Sequence, residues 1–210
     1  MGSLIKDQAT ALVADIKLRG SLLGTGLAAL WLVHLANVVL LGSLNAWGIV
    51  PRSVSGLWGI LFAPFLHGGF SHLLNNSIAF VWLGLLTMLR DPRDLVRVGV
   101  IGGAIAGLGT WLTGGPGTVH IGFSGVIFAY LGFLLTRGWF ERSLGSVAVS
   151  AVSFLWFGSM IWGVLPTVPG VSWQGHLFGF LGGIVAARAL TPAPSKGRKR
   201  STRKKKRRGS

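Results

Sequence analysis

No cysteine occurs anywhere in the 210 residues, which excludes disulfides and thiolate metal sites. Acidic side chains are nearly as scarce: Asp7, Asp15, Asp91, Asp94 and Glu141 are all of them. Charged residues make up 12% of the chain, against about a quarter in a soluble domain. No HExxH run is present, which excludes that class of zinc protease. What fills the space is apolar. Half of the residues are hydrophobic and the mean hydropathy is +0.62, the composition of an all-α polytopic membrane protein.

The formal net charge of +15 is concentrated at one end. Ten of the twenty Lys and Arg lie between Lys196 and Arg208 with no acid among them. The rest of the chain carries ten cations and five acids, a net of +5. Residues 191–210 are therefore expected to be a disordered basic cytoplasmic tail that contacts anionic lipid. Nucleic acid is not its expected partner.

Six apolar spans are expected, over 22–44, 72–89, 95–113, 122–137, 147–165 and 174–190. Before them, residues 1–21 form a cytoplasmic segment. Its Leu4, Ile5, Leu12, Val13 and Ile16 suit one face of an interfacial helix. No small-residue cleavage site follows, so a signal peptide fits poorly. The segment 45–71 contains LWGILFAPFLHGGF. It is too apolar for a solvated loop and too broken by Gly and Pro for one helix. A partly membrane-embedded loop is expected between the first two spans.

Lys and Arg alternate across the connections. Lys6, Lys17 and Arg19 precede the first span, Arg90, Arg93 and Arg97 follow the second, and Arg137 and Arg142 follow the fourth. The other connections hold only Arg52. Both termini are expected in the cytoplasm, with 114–121 and 166–173 outside. This places Ser124, His176 and the start of the second span toward the outer face.

None of the five acids falls inside a span, so an intramembrane aspartyl dyad is excluded. Serine, histidine and asparagine remain for chemistry. A serine nucleophile needs a base for its proton and donors for the oxyanion that forms. Ser124 and His176 supply the first pair if the fourth and sixth spans touch. Gly125, Ala129 and Gly132 lie near one face of the fourth span, and His176, Gly179 and Gly183 lie on one face of the sixth. Small residues of this kind let two backbones approach closely. No carboxylate is placed to orient the histidine, so the expectation is a dyad. His34 and Asn37 in the first span are expected to pack, and His120 to be solvated.

Three separated motifs carry a family resemblance. HGGFSHLLNN fits HxxxxHxxxN through His67, His72 and Asn76; GFSG fits GxSG through Gly122, Ser124 and Gly125; GHLFGFLGG fits (G/A)HxxGxxxG through His176, Gly179 and Gly183. Over residues 22–190 the chain resembles the rhomboid intramembrane serine proteases. The resemblance implies a six-helix membrane domain, Ser124 as nucleophile, and His176 as general base. It also implies an oxyanion hole from His72, Asn76 and the Ser124 N–H. Phe128 stands where relatives place an aromatic against the catalytic histidine, and His67 matches a structural position. Trp58-Gly59 departs from the family's common Trp-Arg pair.

No cofactor or metal is expected. The expected partners are membrane proteins with a transmembrane segment, and the expected location is the plasma (inner) membrane. Two other classes stay open on the residues alone. One is a catalytically inactive rhomboid-like protein that binds membrane clients. The other is a small transporter, which the lack of intramembrane acids and internal repeats disfavours.

Overall fold

The computed structural model describes residues 2–191 and is helical throughout. Helix α1 spans Gly2–Val39, α2 is a single turn at Gly59–Phe62, α3 spans Phe70–Thr87, and α4 spans Asp94–Thr113. Helices α5 (Ser124–Glu141), α6 (Leu144–Phe157) and α7 (Trp173–Leu190) complete the set. Five of the six expected spans each fall on one long helix, and the fifth is divided between α6 and the 3₁₀ stretch that follows it. The basic tail lies outside the described residues from position 192 onward.

Several boundaries differ from the sequence expectation; α5 runs on to Glu141 rather than 137 and α6 begins at Leu144 rather than 147. Helix α1 stops at Val39 rather than residue 44, because Leu41 (φ 54°) and Gly42 (φ 84°) turn left-handed. Asn37 secures that turn: its side-chain oxygen accepts from the Leu44 N–H, and its Nδ2 donates to Asn45. The fifth span is α-helical only to Phe157 and tightens into a 3₁₀ stretch at Gly158–Val164. Helix α1 is otherwise continuous through residues 2–21, 38 residues in all.

Leu4–Val39, Asp94–Thr113 and Leu144–Val164 are long and apolar enough to cross a bilayer. Ser55–Phe65 and Phe70–Thr87, bent by 72°, add a fourth span if taken together. Helices α5 and α7 are less apolar for a physical reason. Both pack most extensively on other helices, with α7 presenting only Leu181 and Val185 among its large apolar side chains outward, so they carry Gly, His and Arg at low cost. Residues Val126–Leu134 of α5 are buried without interruption. The peripheral α6 instead presents Phe154, Leu155 and Trp156 outward.

The α5–α7 contact is backbone against backbone. A β-carbon at Gly179 would fall on the Gly125 carbonyl, one at Gly183 on the Ala129 carbonyl, and one at Gly132 on the Phe180 carbonyl. Glycine is what allows the two axes to come this close.

The segment between α1 and α3 is held down by the end of α4. The Arg52 side chain donates to the Leu112 and Gly114 carbonyls, and Trp111 Nε1–H donates to the Ser53 carbonyl. Arg52 thereby satisfies carbonyls that a helix C-terminus leaves unpaired. Ile49 and His120 exchange both backbone hydrogen bonds at 2.9 Å. Gly59 explains its own departure from the family pair, since a side chain there would collide with the Gly48 carbonyl. Val54, Trp58, Leu61 and Phe62 point outward from this segment.

At the bundle end remote from Ser124, charges pair. Arg137 and Glu141 meet at 2.9 Å, Arg90 bridges Glu141 at 2.9 Å, and fully buried Asp94 lies between Arg90 and Arg97. Arg90 also donates to the Leu190 carbonyl at 3.0 Å, tying α7 to this network.

Candidate active site

Ser124 is the first residue of α5, directly after the turn through Gly122 and Phe123. Gly122 has φ +119°, and a β-carbon there would approach the His72 ring to 2.8 Å. Its N–H donates to the Ala63 carbonyl at 2.8 Å, which anchors the turn to the preceding segment. Only glycine meets both demands.

His176 sits in the first turn of α7, buried, with Nε2 2.9 Å from Ser124 Oγ. Its Nδ1 lies 2.8 Å from the Gly163 carbonyl oxygen. A carbonyl only accepts, so Nδ1 carries the proton and Nε2 is free to accept the Ser124 hydroxyl. The Phe128 ring stacks on the imidazole at 4.1 Å with the planes 6° apart. The ring is therefore held at both nitrogens and on one face.

Asn76 is buried, and its Nδ2 has no hydrogen-bond partner among the described residues. Together with His72, Ser124, Phe128, Met160 and His176, it borders a cleft of about 810 Å³, within the usual size of ligand clefts. An unpartnered buried donor facing such a cleft is a costly arrangement that an incoming acceptor relieves. Asn75, the preceding residue, also lines the cleft from an exposed position.

His67 is fully buried behind His72, with the ring centroids 5.0 Å apart and edge to face. It does not border the cleft. His34 lies beyond it, at 6.5 Å between ring centroids. Gly125, Gly179 and Gly183 line the α5–α7 contact described above.

Two features escaped sequence reasoning. The Gly163 carbonyl orients His176 from the 3₁₀ stretch after α6; a backbone oxygen has no side-chain signature to find. His120 is not solvated but half-buried, 2.6 Å from Ser172 Oγ and 2.8 Å from Thr118 Oγ1. Burial holds its imidazole below the ordinary histidine range.

Comparison with known proteins places these elements in context. The family model of the Rhomboid domain matches residues 54–193. An uncharacterized protein of Mycobacterium tuberculosis is 39% identical over 187 residues, covering 85% of this chain and 78% of that protein. The putative rhomboid protease YdcA of Bacillus subtilis is 29% identical over 167 residues, covering 75% of this chain and 81% of its own. RHOMBOID-like protein 5 of Arabidopsis thaliana is 29% identical over 147 residues, 67% of this chain and 46% of its own.

Proposed function

The chain belongs to the rhomboid family, and on that premise we propose that it is an intramembrane serine protease. It cuts peptide bonds in or near transmembrane segments of other membrane proteins. The observation that carries this reading is the 2.9 Å approach of Ser124 Oγ to His176 Nε2, with Nδ1–H committed to the Gly163 carbonyl.

The catalytic cycle follows from that geometry. His176 Nε2 takes the hydroxyl proton as Ser124 Oγ attacks the scissile carbonyl carbon. The imidazolium that forms keeps its Nδ1–H on Gly163, whose carbonyl dipole does the orienting work that a carboxylate does in a triad. The developing oxyanion is assigned to the His72 ring, the Asn76 amide and the Ser124 N–H, a reading supported by all three residues bordering the cleft. His176 then hands its proton to the leaving amine. A water molecule activated by the same imidazole attacks the acyl ester and frees Ser124.

The proposal includes six membrane spans with both termini in the cytoplasm, so that the cleft opens to the outer side. The alternation of Lys and Arg between connections supports that orientation. A helical substrate keeps its backbone groups paired within the helix, so cleavage requires local unwinding, and helix-destabilising residues near the cut favour it. Substrates are thus transmembrane proteins with a weak helix near the outer face.

The test is cleavage of a fluorogenic transmembrane peptide in proteoliposomes by wild type, Ser124→Ala and His176→Ala. Activity in wild type alone is the expected result. Equal rates in all three would sink the mechanism and favour the client-binding reading. Labelling of wild type by a fluorophosphonate, lost in Ser124→Ala, separates those two readings without a substrate.

A further inference from the structure

Four residues before Ser124 stands His120, and four residues before His176 stands Ser172. These two side chains also meet, Nδ1 to Oγ at 2.6 Å. The two Ser–His contacts are both 52 residues apart in the chain, with the residue types exchanged between the segments. We infer that His120 and Ser172 are a positioning pair that fixes the start of α7 against the start of α5, and so sets the distance between His176 and Ser124. This inference rests on the protease reading above.

One assignment of hydrogens satisfies every group in the pair. The Thr118 hydroxyl donates to the Gly115 carbonyl at 2.7 Å, so its oxygen accepts from His120 Nε2–H. His120 Nδ1 is then unprotonated and accepts the Ser172 hydroxyl. The result is a chain of bonds running Ser172, His120, Thr118, Gly115, with each group satisfied.

Ser172 is placed to do something else and does not. It occupies the position before α7, where a serine side chain ordinarily accepts from an N–H of the first turn. Ser143 does this before α6, with a full capping box to Ser146. Ser172 makes no such bond; its hydroxyl is given to His120. Its carbonyl meanwhile accepts the His176 N–H at 3.2 Å, which links it directly to the base. At the other end, the His120 backbone is clamped to Ile49 by two bonds. The pair therefore joins the dyad-bearing turn of α7 to the segment that leads into Ser124.

Phe128 and Gly163 fix the orientation of the imidazole and the glycine contacts fix the two helix axes; the pair adds a direct link from the first turn of α7 to the segment before α5. A small displacement at a reacting pair costs as much as about a hundredfold in rate, so loss of this link reads out in kcat. The experiment measures kcat and KM on the fluorogenic transmembrane peptide for His120→Ala, Ser172→Ala, the double variant, Ser172→Thr and His120→Asn. Each alanine variant is expected to lower kcat about tenfold with KM changed less than about twofold. The double variant should be no slower than the slower single, because one link is broken either way. Ser172→Thr keeps the hydroxyl and His120→Asn keeps an acceptor near Nδ1, and both should recover most of the rate. A wild-type kcat in either alanine variant, or a double variant equal to the product of the singles, overturns the pair.

Ser124→Ala in the same assay separates the two levels: if it matches wild type, the protease reading itself fails. The pair then still has a test that needs no turnover. The His176 Nδ1–H resonance, followed by ¹⁵N-histidine NMR in detergent, should shift or broaden in both alanine variants and return in Ser172→Thr. An unmoved resonance in both overturns the inference.

Discussion

The imidazole of His176 lies flat on the ring of Phe128, with centroids 4.1 Å apart and planes within 6°. Both rings are buried, and they come from helices that meet at glycine. The stack limits the imidazole to the plane in which Nδ1 reaches Gly163 and Nε2 reaches Ser124.

Phe128→Ala removes that face support. Aromatic pairing contributes about 0.5–1.5 kcal/mol beyond burial, so kcat on a transmembrane peptide should fall about tenfold from mispositioning alone. Loss of the buried ring should also cost about 3–5 kcal/mol of stability. Phe128→Tyr keeps the stack and should retain most of the activity. Steady-state kinetics and thermal unfolding in detergent check both.

Gly183→Ala puts a methyl group on the Ala129 carbonyl. The helices must separate, at about 1–3 kcal/mol, and the separation opens the Ser124–His176 contact. Both melting temperature and cleavage rate should drop. Gly145→Ala on α6, which has nothing within 4 Å, is the matched control. It should gain up to about 1 kcal/mol from helix propensity.

Asn76→Ala should separate activity from stability. Its Nδ2 has no partner among the described residues, so removing the amide breaks no bond there and should lower the melting temperature little. An oxyanion donor is worth about 10²–10³ in kcat, so turnover should fall by that order. A variant equally damaged in both would show that the amide is structural.

Glu141→Gln breaks the remote charge network. Arg137 is buried and meets Glu141 at 2.9 Å. Stranding a buried charge costs about 3–5 kcal/mol. The melting temperature should fall sharply, while the KM of the remaining folded protein stays near wild type. Denaturation in detergent beside peptide kinetics measures the two.

Acid should weaken the fold through His120. Burial holds its value below that of the unfolded chain. Between the two values the unfolded chain binds more protons, so stability declines as pH falls through the ordinary histidine range near 6.5 and levels off below the folded value. His120→Asn, which cannot titrate, should show a flatter decline. Melting curves from pH 8 to pH 5 read it directly.

Much of this protein is determined locally. Long apolar runs with few charges dictate membrane helices whatever their neighbours, because backbone groups in lipid must pair within the segment. The glycine faces at Gly125 and Gly179 follow from helical periodicity, which makes the approach of the helices bearing Ser124 and His176 legible in the sequence, while the three motifs rest on the family resemblance. Tertiary structure decided what lies between elements. The Gly163 carbonyl reaches His176 only because α6 tightens into a 3₁₀ stretch, and every residue type carries a carbonyl. Gly59 lacks a side chain because the Gly48 carbonyl fills that space. His120 reads as a solvated loop histidine until the Ile49 bridge turns it toward Ser172, because a contact across 52 residues depends on how loops pack and not on spacing.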